Sequence, residues 1–283
     1  MIEIEQVSFT YETAKSGATI RNINVRIPKG QIVLLCGESG SGKTTFSRLI
    51  NGLIPAYYDG DLNGRIMVSQ KDTSKVELHE LAPFVGSVFQ NPKSQFYTLL
   101  TDTEIVFACE NIGMEKTDIL CRFNSTVNSL HIEKLLGKSL FALSGGEKQK
   151  IACASVNALM PDVFVLDEPT SNLDIGTIRD LQEILLSWKA QGKTVIIAEH
   201  RLAWLRNIAD RILFFQDGRI AEDIEASAFW KKQPIELHKM GLRAAYNFIP
   251  QCRKSVNTRE TLEFFDFHFV QAMKSKIFAL RMP

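Results

Sequence analysis

The stretch Gly37-Glu38-Ser39-Gly40-Ser41-Gly42-Lys43-Thr44 carries residue types that could hold a polyphosphate. Its glycines let successive backbone N–H groups turn inward with no Cβ in the way. Lys43 can reach β- and γ-phosphates, and the Thr44 hydroxyl suits Mg2+. The apolar run Ile32 to Cys36 just before it reads as a buried strand. A helix starting near Lys43 would aim the positive end of its dipole at the anion. Every fixed position of G-x-x-x-x-G-K-[ST] is filled and strand, loop and helix come in order, so an idle glycine-rich turn is the weaker reading.

A second constellation, "PDVFVLDEPTSNLD", places Asp167 and Glu168 at the C-terminal end of an apolar run, Val163 to Leu166. Parallel sheets present their ligand groups at that end. Asp167 is a candidate to hold Mg2+ through its water shell, and Glu168 is the candidate general base for an attacking water. Pro169 ends the strand by withholding a ladder donor.

A third stretch, "LSGGEKQKIACASVNALMP", reads as a capped helix. Ser144 and Glu147 have the spacing of a capping box, and Pro161 is the expected stop. Gly145 and Gly146 leave the helix start bare, which offers a second phosphate-binding surface beside the structural role.

Elements of this kind need a substantial core, and the composition supplies one. The chain has 283 residues, 45% of them hydrophobic and 23% charged, as in an ordinary globular protein. Lys and Arg (33) nearly cancel Asp and Glu (32), so no overall field points to nucleic acid or an anionic membrane. No apolar run approaches the ~20 residues that span a bilayer. The start "MIEIEQVSF" lacks the basic and apolar regions of a signal peptide. The cysteines (Cys36, Cys109, Cys121, Cys153, Cys252) form no CxxC pair, so neither a disulfide framework nor a zinc site is indicated. A cytosolic protein is the expectation.

"LSGGE" lying between the phosphate loop and "VFVLDEPTSNLD" resembles the signature motif of ATP-binding cassette ATPases, in the order that family uses. The resemblance covers roughly residues 1–225. It implies an α/β P-loop NTPase fold: a parallel sheet, an N-terminal antiparallel β subdomain, and an α-helical signature subdomain over about 92–160. It also implies ATP and Mg2+ as ligands. Gly37, Glu38, Ser39, Gly40, Ser41, Gly42, Lys43, Thr44 and Thr45 would bind ATP, with Tyr11 stacking on adenine. Thr44, Gln90 and Asp167 would meet Mg2+, and Glu168, Gln90 and His200 would form the catalytic set, His200 touching the γ-phosphate. Leu143, Ser144, Gly145, Gly146 and Glu147 would act on the ATP of a facing unit, and Ser171, Asn172, Leu173 and Asp174 would run between the units. Glu147 departs from the glutamine common in the family.

Within the family, "FQNPKSQFYTLLTDTEIVF" is similar to energy-coupling factor importer ATPases. The implied partners are a transmembrane coupling subunit, docking near Gln95, Phe96 and Tyr97, and a substrate-binding membrane subunit. No nucleic acid partner is expected. The implied location is the cytoplasmic face of the membrane, held peripherally. A soluble tandem ATPase acting on ribosomes is the first alternative, although such proteins favour an "NHLD"-like loop over "SNLD". An exporter ATPase is the second, although exporters commonly fuse membrane helices to the ATPase.

The chain's last segment resembles its first. Leu262-Glu263-Phe264 falls on Ile2-Glu3-Ile4, and Ala279-Leu280-Arg281-Met282-Pro283 falls on Asn24-Val25-Arg26-Ile27-Pro28. The expected organisation is an ATPase domain over 1–225, a helix and linker over 226–260, and the first strands of a second ATPase repeat over 261–283, so that the sequence reads as the first half of a tandem protein. A coincidental amphipathic strand is the alternative.

Overall fold

The computed structural model describes residues 1–13, 19–171 and 173–242. Asn172, most of the expected linker and the repeat-like segment 261–283 lie outside the described residues.

In chain order the strands are β1 (Ile2–Tyr11), β2 (Ile20–Ile27), β3 (Ile32–Gly37), β4 (Gly60–Val68), β5 (Lys71–Asp72), β6 (Val85–Val88), β7 (Val163–Asp167), β8 (Thr194–Ala198), β9 (Arg211–Gln216) and β10 (Arg219–Glu225). The helices are α1 (Lys43–Ile50), α2 (Leu53–Ala56), α3 (Leu78–Leu81), α4 (Thr101–Asn111), α5 (Lys116–Leu130), α6 (Gly145–Asn157), α7 (Ile175–Ala190), α8 (Ala226–Phe229) and α9 (Pro234–Lys239).

A six-stranded sheet of order β10-β9-β3-β8-β7-β6 forms the centre. It is parallel from β6 to β9, and β10 adds an antiparallel edge. Its inner strands read "IVLLCG", "VFVLD" and "TVIIA", continuous apolar runs of the kind that both-face burial selects. Alternate residues serve opposite faces. Val33 and Leu35 join a core with Phe46, Leu49 and Ile50 of α1, while Ile32, Leu34 and Cys36 join another with Ile105, Ile151 and Trp188.

The first of these cores is closed by an antiparallel sheet of order β2-β1-β4-β5. Ile2 and Ile4 of β1 point inward while Glu3 and Glu5 alternate away. Gln6, at φ 51, marks a register shift after which Val7 and Phe9 resume the buried face. The expected arrangement, a parallel sheet with an antiparallel β layer beside it, is the one observed. Between β6 and β7 the chain is helical, with α4, α5 and α6 packed on the second core.

The first compact unit runs Met1–Ala245, so α8 and α9 belong to it. Phe229, Leu237 and Leu242 are buried in the same core as the helices before them. Among the described residues, no helix is long and apolar enough to cross a membrane.

Candidate functional site

The phosphate loop hangs between β3 and α1, and its glycines are demanded by close approach. At Gly37 (φ +144) a Cβ would collide with the Phe215 carbonyl oxygen of β9. At Gly42 (φ +108) it would sit 3.0 Å from Ile20 and 3.2 Å from the Thr19 carbonyl. Among the described residues, nothing lies within 4 Å of a Cβ added at Gly40 (φ +79). The Gly218 N–H, in the β9–β10 turn, donates to the Ser41 carbonyl at 3.2 Å. Ser39 is exposed, and the buried Ser41 hydroxyl has no hydrogen-bond partner among the described residues. Glu38 turns its side chain outward onto Gly241, just past α9.

Lys43 is 5% exposed, and its ammonium donates to the carbonyls of Gly37 (2.9 Å) and Glu38 (2.8 Å). Burial lowers its pKa, and the charges of Glu168 and Asp167 push back. The helix it begins has no side-chain cap and no acid in its first turn, so its leading N–H groups stay available to an anion. Thr44 donates to Asp167 Oδ1 at 3.3 Å. Burial raises the Asp167 carboxyl above its ordinary range, against the lowering effect of the Thr44 hydroxyl bond.

These residues fit a magnesium-bound nucleoside triphosphate. Uncapped N–H groups, a buried cation and an unpartnered hydroxyl converge on the loop. Among the described residues no group of three His, Cys, Asp or Glu gathers as a metal cage. Thr44 and Asp167 supply oxygens of the kind Mg2+ takes when phosphates and waters complete its shell.

Glu168 points elsewhere. Its backbone sits at φ 45, in the left-handed region, while its N–H donates to the Ala198 carbonyl of β8 at 2.9 Å. Such a conformation costs about 1–3 kcal/mol and persists where its surroundings fix it. It sends the carboxylate between Gln90 and His200. Gln90 Nε2 donates to Glu168 Oε2 at 3.0 Å, and His200 Nε2 lies 3.1 Å from Glu168 Oε1. The structure therefore brings the catalytic candidates together at the ends of β6, β7 and β8.

Tyr11 is tied to α1 by its hydroxyl, 3.2 Å from Thr45 Oγ1 and accepting from Arg48 at 3.0 Å. Its ring meets Phe9 and Tyr58 edge-on, and the Arg48 guanidinium lies over Tyr58 at 4.0 Å. Arg48 and Tyr58 were not legible as neighbours of this site, because only the fold brings β1, α1 and the chain before β4 together.

The "LSGGE" residues form a separate group. Leu143 is buried, and Ser144 caps α6. The Ser144 N–H donates to Glu147 Oε2 at 2.8 Å, and the Glu147 N–H donates back to Ser144 Oγ at 3.3 Å. Bonding from the Ser144 backbone holds the Glu147 carboxyl below its ordinary range. Gly146 is packed so closely on α7 that a Cβ would collide with the Thr177 side chain. Gly145 borders a cleft of about 450 Å3 with Gln90, Pro92, Lys148, Pro169 and Leu173. In the following loop the Ser171 N–H donates to the Glu168 carbonyl, Leu173 is partly buried, and Asp174 caps α7 by accepting from Thr177 N at 2.8 Å.

Comparison with known proteins gives consistent results. Residues 20–171 match the family model described as ABC transporter. The chain is 46% identical over 243 residues to a putative ABC transporter ATP-binding protein of Treponema denticola, covering 86% of this chain and 50% of that protein. It thus spans about half the length of that relative and of a second from the same organism. A putative ABC transporter ATP-binding protein of Pyrococcus abyssi is 36% identical, with 86% of each chain covered. Among solved structures, cbiO1 of Clostridium perfringens, described as part of the ABC transporter complex cbiONQ, superposes with TM-score 0.72 at 25% identity, over 85% of this chain and 98% of that one.

Proposed function

The chain belongs to the ABC transporter family of ATP-binding proteins, and on that premise we propose that it is the ATP-hydrolysing energy-coupling subunit of a membrane importer of the energy-coupling factor type. The observation that carries the catalytic reading is the hold of Gln90 and His200 on both oxygens of Glu168, one residue beyond the Asp167–Thr44 pair.

In this reading Lys43 and the N–H groups of the phosphate loop bind the β- and γ-phosphates, and Thr44, Asp167 and Gln90 would hold Mg2+. When bound, Mg2+ neutralises charge on the phosphates, the main need of phosphoryl transfer. Glu168 takes the proton from the attacking water, and His200 and Gln90 fix the direction of its carboxylate. Tyr11 lies at the adenine end, next to Thr45.

A second ATPase unit completes the site head to tail. Ser144 and Gly146 of one unit cover ATP on Lys43 of the other. This pairing is supported by the different neighbours of the two phosphate-binding features. The loop is packed by Thr19, Ile20, Phe215 and Gly218, whereas α6 starts against Thr177 beside an open cleft.

The importer reading draws on the surface beyond Gln90. Tyr97 is 77% exposed and stacks on Phe107, with Leu99 and Leu100 exposed beside it. A coupling helix of a transmembrane subunit would cover such a patch. The protein would then sit at the cytoplasmic face of the membrane, with substrate choice left to a separate membrane subunit.

Sedimentation of Glu168→Gln with and without Mg·ATP tests the core of this reading. Turnover should fall about 10²–10⁴-fold while ATP still binds, and ATP should shift monomer to dimer. Near-normal hydrolysis removes Glu168 as the base. A monomer with ATP bound removes the pairing of identical units.

A further inference from the structure

Glu199 lies between β8 and His200 and is 2% exposed. The catalytic scheme above does not use it. A carboxylate at this depth is costly unless its oxygens are satisfied, and here both have partners. Oε1 accepts from the Thr170 hydroxyl. Oε2 accepts from the backbone N–H groups of His200 (2.6 Å) and Arg201 (3.1 Å).

The partners form a closed circuit. Thr170 is fully buried and follows Glu168 and Pro169 in the chain. Its carbonyl accepts from Leu173 N (3.2 Å) and from the Arg201 guanidinium (3.3 Å). On the other side, the His200 imidazole faces Glu168 at 3.1 Å. Glu199 thus ties the peptide that carries His200 to the peptide that leads away from Glu168. One side chain spans the two strand ends whose functional groups must meet.

We propose that Glu199 is a positioning residue that sets the His200 imidazole against the Glu168 carboxylate and links that pair to the loop starting at Ser171. The inference rests on the roles proposed above for Glu168 and His200. Two of the Glu199 bonds are to the backbone N–H groups of His200 and Arg201, so losing them lets the peptide under His200 rotate. An apolar side chain of similar volume would fill the space but leave three donors unpaired.

The test uses the full chain labelled with 15N at histidine, as wild type, Glu199→Ala, Glu199→Gln and His200→Ala, the last assigning the His200 signals. In Glu199→Ala the His200 imidazole signals should move while those of His79, His131 and His238 stay. Its kcat should fall about 10- to 100-fold, the scale of a misplaced catalytic group, with KM for ATP changed less than about threefold. Glu199→Gln should recover most of both, because its amide oxygen still accepts from His200 and Arg201. In a His200→Ala background, Glu199→Ala should add no further loss of turnover.

Unmoved His200 signals, or a full additional loss in that background, overturn the proposal. If His200→Ala keeps wild-type turnover while Glu199→Ala still shifts the signals, the catalytic role of His200 fails and the positioning stands. Should Glu199→Ala not fold, Glu199→Asp withdraws the carboxylate by one methylene. An unchanged His200 spectrum there overturns the proposal equally.

Discussion

Two helices in this molecule begin at glycine-rich turns, and they are finished in opposite ways. α1 starts with no side-chain cap and no acid, inside a collar made by β2, β9 and the β9–β10 turn. α6 starts under a complete capping box with Glu147 in its first turn, exposed at Ser144 and Gly145. A bare helix start attracts an anion through its free N–H groups and its dipole. The α1 start keeps both and is enclosed by its own chain. The α6 start has spent one donor on Ser144 and carries a negative charge, so it can complement a phosphate held elsewhere but is a poor primary site. The comparison favours an arrangement in which one unit binds and its mate covers.

Alanine substitutions should expose this contrast most strongly. At Gly37 the new Cβ would meet the backbone oxygen of Phe215, which cannot swing aside. ATP titration of Gly37→Ala should show a large loss of affinity, because a displaced loop no longer aims its N–H groups at the phosphates. At Gly146 the obstacle is the Thr177 side chain on α7. Gly146→Ala should keep ATP binding in the isolated unit and lose ATP-driven pairing and turnover. Adding Thr177→Ala should restore part of both. Equal loss of ATP affinity in the two glycine variants would erase the distinction between a binding end and a covering end.

A milder change sharpens the same contrast. Glu147→Gln removes charge from the α6 start while its amide oxygen can still accept from Ser144 N–H. With less repulsion of the facing phosphates, ATP-dependent dimerisation should strengthen about two- to fivefold at low salt, with the gain shrinking as salt rises. A weaker dimer would mean that the Glu147 charge serves the cover rather than opposing it.

The legible parts of this protein are those fixed by neighbouring residues in the chain. The runs Ile32 to Cys36 and Val163 to Leu166 read as buried strands, and they are the cores of β3 and β7. Helix starts at Lys43 and after Ser144 followed from loop and capping chemistry, and both are observed. The helix from Ser144 ends at Asn157, ahead of the expected stop at Pro161. What stayed hidden depends on strands meeting across the sheet. The left-handed backbone of Glu168, the burial of Glu199 under Thr170, and the contact of Gly146 with Thr177 join residues far apart in sequence. "AEH" shows a glutamate beside a histidine, but only the β7–β8 pairing turns it inward. Asp174 reads as a loop residue between subunits, and in the structure it also caps α7.

That cap supplies the smallest expected effect and the one most easily followed by pH. The Thr177 N–H bond to Asp174 holds its carboxyl below the ordinary carboxylate range. A carboxyl depressed in the folded state adds stability above its unfolded value and loses it as pH falls through the folded value. Thermal unfolding of Asp174→Ala should therefore lag wild type at neutral pH, and the gap should close in acid. Because α7 carries Thr177 against Gly146, the same variant should weaken ATP-driven pairing while leaving ATP binding at Lys43 intact. A stability gap that does not change with pH would mean that the Asp174 charge adds nothing to the α7 cap. A loss of ATP affinity in the isolated unit would tie the covering end to the binding end within one chain, and the two helix starts would have to be treated as a single site.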